Sequence, residues 1–130
     1  MLSDCPGRIQ SLQYRERDAG LPKLSRRSGR PIEGAGKVDQ LNNLDQFAAQ
    51  VAGVRGVLTI SNTTAHMASA LGIPTVVVLD NGIVTTWPYA AVTTPFYPHC
   101  RLIRRKRRSW LDALLAGRAH LLAMIDSEIR

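Results

Sequence analysis

Ser61, Asn62, Thr63, Thr64 and His66 are the residues whose types and spacing suit chemistry. Within six positions they gather three hydroxyls, an amide and an imidazole, between an apolar run and a segment of small residues. Asn62 is a good helix N-cap, because its side-chain oxygen can accept from an amide of the first turn. Gly72 and Pro74 stand where the matching stop belongs. About four amides at a helix N-terminus lack acceptors within the helix, and the helix dipole adds partial positive charge. Such a mouth suits a phosphate. His66 lies one turn beyond Asn62 on the same side, placed to donate to the same anion. The competing interpretation is local: hydroxyls that only cap the helix, and a histidine that packs or faces solvent. Spacing alone leaves both open.

Two β-branched runs, Val57 to Ile60 and Thr75 to Leu79, bracket this segment. Neither alternates with polar residues, which is the pattern of strands buried on both faces in a parallel sheet covered by helices. Gly56 to Asp80 (56–80) therefore reads as strand, polar turn, helix and strand, a right-handed βαβ crossover. Ala65, Ala68, Ser69 and Ala70 are small enough for the helix to lie close to the sheet. Ligand crevices of such folds lie outside the carboxyl ends of the strands, where Ser61 falls. The predicted class is α/β, a Rossmann-like three-layer domain with a mostly parallel sheet. Upstream, Asn43 with Gln46 resembles a capping box, and Leu44, Phe47, Ala48 and Val51 form a helical stripe ended by Gly53. Downstream, Ser109 and Asp112 open a helix over 109–127 with Leu111, Leu114, Leu115, Leu121, Leu122 and Ile125 on one stripe. Arg118 falls on that stripe, so it snorkels or meets a partner surface.

The run Leu58-Thr-Ile-Ser-Asn-Thr-Thr-Ala-His-Met-Ala-Ser-Ala-Leu-Gly-Ile-Pro-Thr75 resembles the donor-binding segment of bacterial glycosyltransferases fused to tetratricopeptide repeats. That group is similar to the lipopolysaccharide heptosyltransferases and has the two-domain GT-B architecture. Ser11-Leu-Gln13, Leu44 to Ala52, Thr94-Pro-Phe-Tyr-Pro98 and Arg101-Leu-Ile-Arg104 match in the same order, so the resemblance spans 9–125. It implies a single donor-binding domain over 1–130, equivalent to part of the C-terminal half of a GT-B fold. The ligand it implies is a nucleoside-diphosphate sugar, taken as substrate, with no cofactor and no metal. Ser61, Asn62, Thr63, Thr64 and His66 would then face the donor diphosphate. Gln13, at the end of a strand over 9–14, and Asn81 and Trp87 would face sugar or base; an edge-strand role suits Gln13 equally.

This chain also departs from the family. Relatives of the heptosyltransferase type carry Asp where Ser61 stands. A Pro-Asp-Trp-Arg-Trp type segment is reduced here to Asn81-Gly-Ile-Val-Thr-Thr-Trp-Pro88, which keeps only a Trp. The acceptor domain with its catalytic base should precede Ser11, where ten residues stand. The expectation is a donor portion inactive alone, working with an acceptor-domain protein or self-associating through the terminal helix. Trp87, Tyr89, Phe96 and Tyr97 share the stretch 80–100 with three prolines, which suits either a cover over a ligand or a local cluster over the sheet edge.

Composition narrows the classes. Apolar content of 45% argues against disorder, and no apolar run approaches the roughly 18 residues of a membrane span. Neither a span nor a leader is read, so the expected compartment is the cytoplasm. Cys5 and Cys100 lack any CxxC or ligand cluster and read as free thiols of a reducing compartment. The net charge of +7 concentrates in Arg15 to Arg30 and Arg101 to Arg108. Such runs attract nucleic acid, anionic lipid head groups at a membrane's inner face, or a diphosphate; a merely solvated basic surface is the plain alternative. No helix-turn-helix, zinc finger or RNP pattern accompanies them, which argues against nucleic acid. The remaining alternatives are a non-catalytic nucleotide- or protein-binding module and a basic nucleic-acid-binding domain. Residues 15–43, rich in Gly, Pro, Arg and Ser, read as an irregular connection, where the resemblance implies a helix and a short strand. Gly34-Ala-Gly-Lys37 within it fails as a phosphate loop, which needs Gly at Pro31 and Ser or Thr at Val38.

Overall fold

The computed structural model describes residues 7–12, 19–34, 36–80, 86–88 and 91–129. Two compact units divide the chain, Met1–Val51 and Ala52–Arg130, where the sequence suggests one domain.

In the first unit, strands β1 (Ile9–Gln10) and β2 (Ile32–Glu33) pair in parallel, and the Ser11 amide donates to the Glu33 carbonyl at 2.7 Å. Helix α1 (Leu21–Ser28) connects them. This corrects the reading of 15–43 as irregular. Pro22 sits in the first turn, where its missing N–H costs nothing, and Gly29 ends the helix at φ 72°. Leu21 is its one buried residue and Leu24 stands one turn on, so the apolar side of α1 is short but distinct from its basic side of Lys23, Arg26 and Arg27. Helix α2 (Leu44–Ala52) follows with half of the expected capping box. The Asn43 side-chain oxygen accepts from the Gln46 amide at 3.1 Å, but Gln46 Oε1 accepts from the Asp39 amide at 3.2 Å. The Asn43 amide instead donates to the Asp39 carbonyl at 3.1 Å.

The second unit holds β3 (Val57–Ile60), α3 (Thr63–Ala70), β4 (Thr75–Leu79), β5 (Thr93–Thr94), β6 (Tyr97–Arg104) and α4 (Trp110–Ile129). The sheet order is β3-β4-β6-β5, with β3, β4 and β6 parallel and β5 antiparallel at the edge. All five residues of β4 are buried, as its unbroken apolar run requires of a strand covered on both faces. Their side chains alternate. Val77 and Leu79, with Cys100 and Leu102 of β6, pack against Ala65 of α3. Val76 and Ile103, with Leu58, pack against Leu121, Met124 and Ile125 of α4. The unit is thus an α/β sandwich of three layers with a mostly parallel sheet, the Rossmann-like arrangement expected.

Close approach of α4 depends on Gly117. A Cβ there would lie 2.8 Å from Leu58 Cδ1 and 3.3 Å from Val78 Cγ2. The end of α3 is equally specific. Gly72 (φ 76°) donates to the Ser69 carbonyl at 3.1 Å and Ile73 to the Ala68 carbonyl at 3.0 Å. That pair of bonds is a Schellman motif, which closes the helix and leads through Pro74 into β4.

Candidate functional site

Strand β3 ends at Ile60, and the chain turns through Ser61 and Asn62 into α3. Asn62 is extended (φ −162°, ψ −178°), and its Oδ1 accepts from the Ala65 amide at 2.9 Å. The Thr59 hydroxyl donates to the same oxygen at 3.2 Å and fixes the amide's orientation. Asn62 is therefore the N-cap its type predicts. Helical geometry leaves the Thr63 and Thr64 amides without an acceptor in the helix. Ser61, Asn62 and Thr63 are exposed and Thr64 is half-buried, so four of the five candidates share one open helix mouth at the carboxyl end of β3.

His66 is turned differently. Its Nδ1 shares a 3.0 Å hydrogen bond with the Tyr97 hydroxyl, and its ring stacks on Trp87 with centroids 4.7 Å apart and planes 9° from parallel. Tyr97 meets the imidazole edge-on at 5.8 Å. Trp87, only 3% exposed, belongs to the apolar cluster on the α3 side of the sheet. Its indole Nε1 donates to Ser61 Oγ at 2.9 Å, which ties the segment after β4 to the end of β3. Trp87 is thus a packed residue of a local aromatic cluster, with one ring face covered by His66. Gln13 and Asn81 lie outside the described residues, as does Cys5.

Two features escape sequence reasoning. Tyr97, at the start of β6, orients His66 across 31 positions. Asp80, directly after β4, accepts from Arg105 Nε at 3.0 Å and pairs with Nη2 at 2.9 Å. The Arg105 guanidinium also lies 5.1 Å from the Trp110 ring centroid. Arg105 thus carries a carboxylate partner. An isolated acid after an apolar run was the available signal, but nothing in the spacing pairs it with position 105.

Cys100 is buried in the α3-side cluster. Burial pushes its thiol above the usual range, and the nearby Ser69 hydroxyl opposes that shift. No group of three or more metal-ligating side chains occurs among the described residues. No helix among them is long and apolar enough to cross a membrane.

No family model, curated protein or solved structure matches the chain.

Proposed function

We propose that the α3 mouth binds the diphosphate of a nucleotide sugar, as the donor-binding portion of a GT-B glycosyltransferase. One observation carries this reading: exposed Ser61, Asn62 and Thr63 open a helix at the carboxyl end of a parallel strand. That is where open α/β sheets take their ligands. The Thr63 and Thr64 amides and the Ser61 and Thr63 hydroxyls meet the phosphate oxygens. As the sugar leaves, negative charge grows on those oxygens, and fixed donors at a helix mouth stabilise it without reorganising. Tyr97 orients the His66 ring; in the tautomer whose Nδ1 accepts from the phenol, Nε2 carries the proton and donates. Ser61 brings a hydrogen bond to the site but no charge. In a GT-B transferase an acceptor-binding domain with its base completes the reaction.

A non-catalytic nucleotide-binding module is the second reading. It is favoured by the mutual engagement of Ser61 with Trp87 and of His66 with Tyr97.

Thermal unfolding with a panel of nucleoside diphosphates tests the proposal. A ligand at ten times its Kd should add about 1.4 kcal/mol, an upward shift in Tm of several degrees. Thr63→Pro removes one mouth amide at a position where proline suits a helix, and the extended Asn62 tolerates it. The variant should fold as the parent does and lose most of the shift. No shift from any diphosphate at millimolar concentration would refute the reading.

A further inference from the structure

Helix α4 opens on two apolar side chains that the packing of the helix leaves uncovered. Trp110 is 41% exposed and Leu111 56%, whereas Ala113, Gly117 and Leu121, which recur at helical spacing, are buried. Strand β6 ends at Arg104 and α4 begins at Trp110, so the exposed pair stands at the carboxyl edge of the sheet.

The turn that leads into them is basic and held in a fixed shape. Residues 104–112 carry five cations, Arg104, Arg105, Lys106, Arg107 and Arg108, and one acid, Asp112. The Arg108 amide donates to the Arg105 carbonyl at 3.0 Å, its Nε to the same carbonyl at 3.3 Å and its Nη2 to the Arg104 carbonyl at 2.6 Å. Arg105 Nη1 donates back to the Arg108 carbonyl at 3.2 Å, and Lys106 takes the left-handed conformation (φ 55°) of the reversal. Asp80 joins the turn by pairing with Arg105. Asp112 follows Trp110 by two positions, a rotation of about 200°, and so leaves the helix on the far side from the indole. With both acids counted, positive charge remains in excess. A lipid surface responds to that net charge, whichever of the cations have partners.

An exposed indole beside an aliphatic side chain, next to a basic turn, has the composition of an anchor for a membrane interface. Nucleic acid fits less well. The Arg105 guanidinium lies over the Trp110 ring, where a base would stack, and Leu111 gains nothing from phosphates.

We infer that the turn 104–109, with Trp110 and Leu111, docks on an anionic lipid surface. The cations meet the head groups and the two apolar side chains enter the interface. Neither attraction alone holds a chain firmly at a bilayer, and the two together do. The surface stands independently of the diphosphate reading of the α3 mouth.

Co-sedimentation of the full chain with phosphatidylcholine vesicles, with and without phosphatidylglycerol, is the test. The chain should sediment with the anionic vesicles only. Arg107→Gln should weaken binding about fivefold and Leu111→Gln about tenfold. Both positions are exposed, so Tm should stay unchanged, and Thr63→Pro should bind as the parent does. Trp87→Phe leaves Trp110 as the only tryptophan, and its emission should move to shorter wavelength on binding. Failure to sediment with anionic vesicles would overturn the site. So would binding that Arg107→Gln weakens while Leu111→Gln and the Trp110 emission leave no mark, since a merely solvated basic surface behaves that way. Retention on RNA by a chain that ignores the vesicles would hand the turn to another partner and overturn it as well.

Discussion

Ser61 illustrates how one side chain serves two levels at once. It stands at the open helix mouth, and its oxygen accepts a hydrogen bond from the only polar atom of a buried indole. Trp87→Phe keeps most of the apolar contact and deletes that bond. It should cost about 1 kcal/mol, read as a lower urea midpoint with an unchanged m-value. An unmoved midpoint would mean that the bond carries no stability. Cys100 gives a second prediction at this scale. Its folded-state pKa lies above the ordinary value of 9.0, so the neutral thiol is favoured in the native state. Stability from this source is full below pH 9 and falls as pH rises through the unfolded and then the folded value. Cys100→Ser should flatten that alkaline slope relative to the parent, as measured by denaturant midpoints from pH 8 to 10.5. Asn62 was fully legible from its type, since its side chain caps the helix as an N-cap asparagine should. His66 was legible only as a residue near the mouth, because Tyr97 and Trp87 reach it from far along the chain.

The β3–α3–β4 unit could be read from the sequence because each of its signals is local. The runs Val57–Ile60 and Thr75–Leu79, the Asn62 cap and the Gly72 stop all lie within one short stretch. Helix α1 was passed over although its leucines and arginines fall on opposite sides, since its apolar side is only two leucines long within a Gly-, Pro- and Arg-rich segment. Strand β6 was hidden for another reason. Tyr-Pro-His-Cys-Arg-Leu-Ile-Arg mixes proline and arginine into an eight-residue strand, so its right-hand half read as part of a basic run. Its burial becomes visible only when β4 and α4 are placed beside it. Packing of α4 gives the prediction proper to elements. Gly117→Ala gains about 1 kcal/mol of helix propensity but places a Cβ 2.8 Å from Leu58 Cδ1. Overpacking of about 1–3 kcal/mol outweighs that gain, so a lowered Tm is expected. A variant as stable as the parent would show that Leu58 moves aside freely.

At the scale of the molecule, charge and fold divide the labour in the second unit. The parallel sheet presents the α3 mouth at its carboxyl edge, while β6 and the turn after it carry the cationic run 101–108. The fold class came from continuous apolar runs, which report burial on two faces. The role of the +7 charge did not, because charge runs look alike whether they coat a surface or line a cavity.

The most direct test is a proton–nitrogen NMR titration of the labelled chain with a nucleoside diphosphate. The account predicts that the Thr63 and Thr64 amides move first and furthest, with Ser61 following. Shifts confined to 101–108, or no shift at the start of α3 at saturating ligand, would contradict it.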